Sequence, residues 1–224
     1  RGSGWSLCFA VAGGLGFAPI APGTFGSLLG AVVFLVGFVL VDGREAIVGG
    51  RAGLAVAFCV AVTGVLLLGI RASDDAGRHF GRADDGRIVI DEVVGQLIAL
   101  APLLVFVTFT PERTPELESA AGSMGAVAAQ LPARPETIPF SSLLGWVVTG
   151  FVAFRVFDIW KPGPVRWAER GFEGGVGVMA DDVVAGLGAA GLLAGLIGLR
   201  ASDLGADGFS VALASLGLAG GGMS

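Results

Sequence analysis

Long stretches without a single charged residue constrain the fold of this chain more than any other feature. The chain contains five such stretches, at residues 2–41, 52–70, 93–111, 137–154 and 183–199. A helix needs about 20 apolar residues to cross the hydrocarbon core of a bilayer, so each stretch approaches or exceeds the length of a membrane span. A further uncharged stretch, residues 208–224, is marginal in length.

The overall composition supports a membrane protein. Apolar residues make up 54% of the chain and charged residues 15%, and the mean hydropathy is +0.80, whereas about 25% of the residues in soluble domains are charged. We therefore predict an all-α fold, a polytopic membrane bundle of about five or six apolar helices, forming one domain over residues 1–224. The chain has 39 glycines, and we expect Gly191 with Gly195 and Gly217 with Gly221 to pack helices closely.

Charge and cysteine usage exclude some common classes. A net charge of −5 and the absence of tyrosine argue against nucleic acid as a partner. Cys8 and Cys59 lie inside apolar stretches without the spacing of a metal or redox site, so we expect them to be buried, unpaired thiols.

The distribution of basic residues predicts the orientation in the membrane. If the first span begins at Phe25, the segments before Phe25, at 71–92 and at 155–182 lie on one side. The last two of these hold eight Lys and Arg residues against five in the opposite segments, which favours the cytoplasm for this side. Because Pro19 and Pro22 interrupt the first stretch, residues 4–17 are expected to form either a span or an interfacial or re-entrant helix.

Three polar clusters fall on this predicted cytoplasmic side, each at the edge of an apolar stretch. In the first, Thr24 and Ser27 lie at the start of an apolar helix, where free backbone N–H groups can hold a phosphate oxygen. An ordinary helix cap explains the same pattern. The second cluster is Asp91 with Glu92, two adjacent carboxylates at the head of a span, where ionisable groups are costly and usually functional.

The third cluster spaces Arg155, Asp158 and Lys161 three residues apart on one helical face before Pro162, and Asp181 with Asp182 begin another apolar stretch. A juxtamembrane salt bridge is the alternative interpretation of this face. If the five carboxylates of these clusters converge from their three segments, as we expect, hard oxygen ligands of this kind select Mg²⁺ or a similar ion.

Several other catalytic schemes lack their residues. His79 is the one histidine, so a two-histidine phosphatase site is excluded, and we expect His79 to be a solvated loop residue. The sequence has no nucleotide-binding glycine-lysine loop. A metal-activated water therefore remains as the expected nucleophile.

Three sequence stretches, APIAPGTFGSLLG, DDGRIVIDEVVG and FRVFDIWKPGPVRWAER followed by GGVGVMADDVVAG, resemble the phosphatidylglycerophosphatase A family over about residues 14–199. The resemblance implies an all-helical, Mg²⁺-dependent bacterial enzyme. Together with the apolar stretches and the count of basic residues, it leads us to expect a protein of the cytoplasmic membrane with its site facing the cytoplasm. It also implies the reaction, hydrolysis of phosphatidylglycerophosphate to phosphatidylglycerol and phosphate. The connection at residues 112–136 and the extension at 200–224 depart from the family pattern.

The resemblance assigns roles to individual residues. Metal-binding or catalytic carboxylates are implied at Asp91, Glu92, Asp158, Asp181 and Asp182. It implies that Lys161 is a catalytic residue and a phosphate ligand, and Thr24 and Ser27 match the family's glycine-threonine segment near the phosphate. From its positive charge alone, we expect Arg155 to bind the phosphate as well. Asp84 matches a recurrent acid upstream of the paired carboxylates, whereas Asp74, Asp75 and Asp85 are expected to be solvated loop charges.

Three alternatives stay open at the level of sequence. The acidic cluster is also compatible with an ion or small-solute transporter, in which acids line a translocation path. A noncatalytic membrane assembly partner is the second alternative. The third keeps the phosphatase chemistry but changes the substrate to another phospholipid phosphomonoester, and the sequence leaves the oligomeric state unknown.

Overall fold

The computed structural model describes residues 4–41, 50–109 and 140–215, and every regular element in these ranges is helical, which confirms the all-α prediction. The elements are α1 (Gly4–Ala10), a 3₁₀ helix (Ala12–Phe17), α2 (Pro22–Val41), α3 (Gly50–Phe80), α4 (Ile90–Phe109), α5 (Phe140–Trp160), α6 (Gly163–Gly171) and α7 (Gly174–Ser215). The variable connection at 112–136, the pair Gly217 with Gly221 and most of the marginal run at 208–224 lie outside the described residues.

Four helices in the described ranges are long and apolar enough to cross a membrane: Pro22–Leu40, Gly53–Phe80, Ser142–Trp160 and Gly174–Arg200. The remaining long helix, α4, packs against α2, α3, α5 and α7 and so lies at the centre of the bundle. Apolar side chains on α3, including Val56, Val60 and Leu67, are more than half exposed, as expected of a face that contacts lipid. The predicted count of five or six apolar helices is therefore approximate, and the membrane bundle is confirmed.

The N-terminal apolar stretch is interrupted, as its prolines predict. Gly13 and Gly14 adopt φ angles of 68° and 111°, which favour glycine, and a turn at residues 18–21 separates the 3₁₀ helix from α2. The Val89 N–H donates a hydrogen bond to the Ala10 carbonyl oxygen (2.9 Å). This bond attaches the N-terminal segment to the chain that enters α4.

Helices α3 and α7 are longer than predicted, and a side chain joins them. Asp74 and Asp75 lie within α3, not in a loop, and the Asp74 Oδ1 atom accepts a hydrogen bond from the Gly175 N–H (2.5 Å). This carboxylate satisfies one of the free N–H groups at the start of α7. Asp181 and Asp182 therefore lie about two turns inside α7, whereas the sequence placed them at the start of a helix.

Close packing between α4 and α7 depends on glycines other than the predicted pair. A Cβ atom at Gly186 would lie 2.5 Å from the Gly95 carbonyl oxygen, and one at Gly95 would lie 2.8 Å from the Asp182 carbonyl oxygen. Gly191 and Gly195, in contrast, have no described neighbour within 4 Å of such an atom. Within the described part of the chain, this pair therefore packs against no other helix, contrary to the prediction.

Two further expectations about burial are corrected. Cys8 and Cys59 are exposed free thiols, because they lie on outward faces of the helices and not in the core.

Asp85 is buried, not solvated. Its carboxylate accepts hydrogen bonds from Arg87 Nε (2.6 Å) and Nη2 (2.9 Å), and the Arg87 guanidinium lies 3.8 Å from the centre of the Phe80 ring. These hydrogen bonds lower the pKa of Asp85 below its usual value and fix the turn that leads into α4.

Candidate active site

The glycines of the PGTFGSLLG segment bring α2 into backbone contact with the first two turns of α4. A Cβ atom at Gly26 would lie 2.7 Å from the Val89 carbonyl oxygen, and one at Gly30 would lie 2.8 Å from the Val93 carbonyl oxygen. A Cβ atom at Gly23 would overlap the carboxylate of Glu92. The segment therefore serves as a packing surface that presses α2 against the paired acids.

Three carboxylates meet where the first turn of α4 packs against α7. Asp91, Glu92 and Asp182 each offer an oxygen, and these oxygens all lie within 4.8 Å of one another. Asp91 and Asp182 are only 8% and 4% exposed. Among the described residues, Asp91 Oδ1 and Glu92 Oε2 are buried and have no hydrogen-bond partner.

These unpartnered oxygens are the observation that tests whether the cluster suits a metal ion. Burying a carboxylate oxygen without a donor is unfavourable, and three acids at this distance repel one another. A cation removes both problems, and carboxylate oxygens are the ligands that hard divalent cations prefer. The residues present therefore fit a metal ion.

Arg155 joins two of the sequence clusters through its guanidinium. Its Nη1 atom donates to Asp158 Oδ2 (2.5 Å) and to the Ser27 hydroxyl oxygen (3.3 Å). The Ser27 hydroxyl in turn donates to the Gly23 carbonyl oxygen (3.0 Å). Asp158 also lies beside Asp182, which brings the Arg155–Asp158 pair next to the three-carboxylate group.

Lys161 follows the last residue of α5 in a left-handed backbone conformation, with φ of 45°. Such a conformation is unfavourable for a residue with a Cβ atom and persists where surrounding contacts impose it. The Nζ atom donates to Asp181 Oδ2 (2.8 Å) and to Glu169 Oε1 (2.7 Å). Partial burial works against the charged form, but these two hydrogen bonds outweigh it and raise the pKa of Lys161.

A cleft of about 430 Å³ connects the acidic centre to the protein surface. Asp91 and Asp181 line its inner side, while Asp84 and Glu169 line its outer side. Asp84 is exposed, and the hydrogen bond from Lys161 lowers the pKa of Glu169. A small, charged group on a substrate can reach Asp91 by this route.

The structure thus brings together most of the residues proposed from sequence. The five carboxylates, Ser27, Arg155 and Lys161 form one continuous group, and Asp84 lies at the mouth of its cleft. Thr24 lies in the first turn of α2, one turn before Ser27. His79 is exposed, as expected, although it lies on α3 and not in a loop, with its ring against Phe80 (5.3 Å between ring centres).

Two residues near the site were missed at the level of sequence. Glu169 shares Lys161 with Asp181, and the WAER segment of α6 that carries it contains no pattern that distinguishes it from a solvated acid. Gln96 is completely buried one turn after Glu92. A signal for Gln96 existed, because a polar side chain within an apolar span is expensive.

Comparison with known proteins identifies the family of the chain. The family profile described as Phosphatidylglycerophosphatase A matches residues 8–197. The chain belongs to the phosphatidylglycerophosphatase A family. It is 30% identical over 189 residues to the Escherichia coli protein named phosphatidylglycerophosphatase A, an alignment that covers 84% of this chain and 81% of the relative.

Two other relatives extend the comparison. The Haemophilus influenzae protein named phosphatidylglycerophosphatase A is 29% identical over 80% of each chain. A Bacteroides thetaiotaomicron protein, whose name gives it as a candidate phosphatidylinositol-3-phosphatase, is 34% identical over 78% of this chain and 82% of its own. No solved structure matches the chain. Family membership identifies the protein as a phosphatase, a phosphoric monoester hydrolase, and its long apolar helices identify it as a membrane protein.

Proposed function

We propose that this enzyme hydrolyses phosphatidylglycerophosphate to phosphatidylglycerol and inorganic phosphate, in a Mg²⁺-dependent step of bacterial phospholipid biosynthesis. The observation that carries the proposal is the buried group of Asp91, Glu92 and Asp182, set in a chain that matches the family over residues 8–197. We further propose that residues 1–224 act as a single domain.

Charge balance supports a divalent cation at this group. Five carboxylates are compensated by two cations, Arg155 and Lys161, within the described site. Asp91, Glu92 and Asp182 would hold the ion, with Asp158 and Asp181 beside them. A bound Mg²⁺ ion supplies Lewis acidity to the phosphoryl group and to the attacking water.

The side chains around the carboxylates account for the remaining steps. Lys161 and Arg155 carry positive charge to the phosphate oxygens, which gain negative charge as phosphoryl transfer proceeds. The Ser27 hydroxyl, already in contact with Arg155, and the first turn of α2 near Thr24 orient the same phosphate. A carboxylate that does not contact the ion accepts the proton of the attacking water. Asp84 lies at the mouth of the cleft through which the headgroup enters.

The position of the site suits a lipid substrate. Trp160 and Trp167 are 71% and 67% exposed at the end of the bundle that carries Lys161, and exposed tryptophans are enriched at the membrane interface. The acyl chains of the substrate can therefore stay in the bilayer while its phosphorylated headgroup enters the cleft. The surplus of basic residues at this end supports a cytoplasmic site in the inner membrane.

A transporter fits the geometry less well. A translocation path needs ionisable groups near the middle of the spans, whereas Asp91 and Glu92 lie in the first turn of α4 and Asp158 lies in the last turn of α5. A phosphatase for a different phospholipid phosphomonoester is the stronger alternative, because one relative is named for a phosphoinositide.

A substrate panel separates these possibilities. Purified protein in detergent micelles should release phosphate from phosphatidylglycerophosphate faster than from phosphatidylinositol 3-phosphate or phosphatidate at equal surface concentration. Faster release from phosphatidylinositol 3-phosphate would replace the proposed substrate and keep the chemistry. Release from none of the three lipids, combined with ion uptake into liposomes, would favour the transporter.

Orientation is tested with single cysteines. In a Cys8→Ser, Cys59→Ser background, Arg170→Cys should react with a membrane-impermeant maleimide in inverted vesicles and not in intact spheroplasts. Arg200→Cys, at the far end of the candidate span Gly174–Arg200 in α7, should show the reverse pattern. Labelling of Arg170→Cys in spheroplasts would contradict a cytoplasmic site.

A further inference from the structure

A second cleft adjoins the cleft that leads to Asp91, and the proposed chemistry gives it no role. It has a volume of about 440 Å³ and lies between the end of α3 and the start of α7, with Arg78 and Arg82 among its lining residues. We call it the arginine cleft, and its neighbour the acidic cleft. Ala83 and Gly174 line both clefts. Because neither has a side chain larger than a methyl group, one ligand can extend across this boundary from one cleft into the other.

The end of α3 explains why an arginine lies at this boundary. Gly81, with φ of 78°, ends the helix in the left-handed conformation that favours glycine, and its N–H donates to the Gly77 carbonyl oxygen (2.9 Å). A Cβ atom at Gly77 would lie 3.1 Å from the Arg82 carbonyl oxygen and 3.0 Å from that of Ala83. The chain therefore folds back against the last turn of α3 and brings Arg82 to the rim of both clefts.

Arg82 is also the cation of this cleft whose charge is not compensated by a neighbour. Arg78 Nη2 donates to Asp75 Oδ1 (2.5 Å), which neutralises Arg78. Asp74 is the one carboxylate that lines the arginine cleft, and its Oδ1 atom accepts the Gly175 N–H. Arg82 is exposed and has no ion pair or hydrogen bond with any residue in the described ranges. Its guanidinium is available to an anionic ligand.

The depth of Arg82 suits an anionic group of a lipid. Arg82 follows the end of the candidate span Gly53–Phe80 by two residues, and basic side chains at the ends of spans reach the level of the lipid headgroups. The outer side of the acidic cleft is lined instead by exposed acids, Asp84 and Glu173. These acids repel a second anionic group of the substrate, whereas Arg82 attracts it.

We propose that the arginine cleft binds the phosphodiester of the lipid substrate through Arg82, while the terminal phosphomonoester occupies the acidic cleft. This role rests on the proposed function, because phosphatidylglycerophosphate carries both groups, one on each side of its headgroup glycerol. A guanidinium can donate two parallel hydrogen bonds to phosphate oxygens. Arg82 is thus a specificity-determining residue. It favours lipids with a second phosphate over phosphatidate, which has the phosphomonoester alone, and it takes no part in bond cleavage.

The first test measures binding without catalysis, by isothermal titration calorimetry of the purified protein in detergent. Dihexanoyl phosphatidylglycerol carries the phosphodiester without the phosphomonoester, and dihexanoyl phosphatidate carries the phosphomonoester without the phosphodiester. Arg82→Gln should weaken binding of the phosphatidylglycerol about tenfold, the effect of losing one hydrogen bond to a charged group, and should leave binding of the phosphatidate unchanged. Parental affinity of Arg82→Gln for phosphatidylglycerol, or equal weakening for both lipids, would overturn the proposal.

Two further variants control for charge and for the shape of the guanidinium. Arg170→Gln is the matched control, because Arg170 is also exposed and lies beside Glu169 of the acidic cleft, yet lines neither cleft. It should bind both lipids as the parent does. Arg82→Lys keeps the charge and loses the planar pair of donors, so its affinity for phosphatidylglycerol should lie between those of the parent and Arg82→Gln. An equal loss in Arg170→Gln would show a general effect of surface charge and overturn the assignment to Arg82.

Turnover shows whether the bound phosphodiester belongs to the substrate. In nonionic micelles with phosphatidylglycerophosphate as the only phospholipid, Arg82→Gln should raise KM about tenfold with little change in kcat, because it removes a contact made equally before and during the reaction. An unchanged KM, combined with weaker binding of phosphatidylglycerol, would assign the cleft to a separate anionic lipid and overturn the role in substrate binding.

The outcomes separate this role from the proposed function. If the parent hydrolyses phosphatidylglycerophosphate and Arg82→Gln matches it in KM and in lipid binding, the role of Arg82 is overturned and the proposed function stands. If the parent binds phosphatidylglycerol through Arg82 but releases no phosphate from phosphatidylglycerophosphate, the proposed substrate is overturned and Arg82 remains a phosphodiester ligand.

Discussion

The contact between Gly186 and Gly95 gives the sharpest test of how the helices position the carboxylates. Gly186 lies on α7 one turn after Asp182, at the point where α7 crosses α4. An alanine there would place its Cβ atom 2.5 Å from the Gly95 carbonyl oxygen. Because that oxygen belongs to the backbone of a buried helix, the strain cannot be relieved by rotating a side chain.

The size of the effect follows from this distance. A carbon atom and a carbonyl oxygen in contact lie about 3.3 Å apart, so Gly186→Ala requires α4 and α7 to separate by about 0.8 Å. Metal–ligand distances tolerate about 0.2 Å, and a displacement of about 1 Å at a catalytic centre costs about 100-fold in rate. We expect phosphate release to fall about 100-fold, and the stability to fall by about 1–3 kcal/mol from overpacking.

Gly191→Ala is the matched control, since it makes the same substitution five residues later on α7. No described atom lies within 4 Å of its added methyl group, and alanine is favoured over glycine in a helix by about 1 kcal/mol. This variant should therefore keep full turnover and unfold at the same or a higher temperature. Both variants are compared by phosphate release and by thermal unfolding in the same detergent. Parent-like turnover in Gly186→Ala, or an equal loss in Gly191→Ala, would refute the reasoning.

Three further predictions concern the charged groups and the metal. Lys161→Met should lower turnover by about 100-fold, the usual effect of losing one donor to the reacting oxygens. The thermal midpoint of this variant should stay within a few degrees of the parent's. Near-parental turnover would show that Lys161 has no catalytic role. Because Arg87 lowers the pKa of Asp85, the ionised Asp85 carboxylate stabilises the fold above about pH 4, and this stability is lost as the pH falls. In Asp85→Asn, the free energy of unfolding should therefore decrease less steeply at acid pH than in the parent. An unchanged acid dependence would contradict a stabilising interaction between Asp85 and Arg87. Removal of the metal by a chelator should abolish turnover while the circular dichroism spectrum remains that of a helical protein. Adding Mn²⁺ at 100 times its Kd should then stabilise the protein by about 2.7 kcal/mol. If the thermal midpoint does not change with added metal, the protein does not hold an ion.

Much of the fold followed from the positions of charge. Uncharged stretches predicted the five long helices, because only an apolar environment accepts runs of this kind, and Pro19 with Pro22 predicted the break before α2. The helix ends were less predictable. Helix α3 continues through Asp74 and Asp75 because Asp74 satisfies the Gly175 N–H of α7, a tertiary contact that no local pattern in α3 indicates.

The same distinction applies to the candidate site. Asp91, Glu92 and Asp182 could be proposed from sequence, because acids at the head of apolar stretches are costly and the alternation of spans placed them on one side. Partners that depend on side-chain direction could not be proposed. The Ser27 contact to Arg155 and the sharing of Lys161 between Asp181 and Glu169 arise from the packing of α2, α5, α6 and α7.

The glycines show most clearly which contacts could not be predicted from the sequence. Spacing of four residues suggested Gly191 with Gly195 as a packing pair, yet the close crossings use Gly95 and Gly186. Small residues allow helices to approach, but only the rotation of each helix within the bundle decides which of them meets a neighbour. That rotation is set by the buried face as a whole and not by any one pair.

The most direct test of the central claim is phosphate release from phosphatidylglycerophosphate in detergent micelles by metal-stripped parent protein and by Asp182→Asn, with and without added Mg²⁺. The parent should release phosphate only when Mg²⁺ is present, and Asp182→Asn should release none at any Mg²⁺ concentration while remaining folded. Equal release by Asp182→Asn, or release by the parent that does not depend on any divalent cation, would contradict an acidic metal centre as the seat of the chemistry.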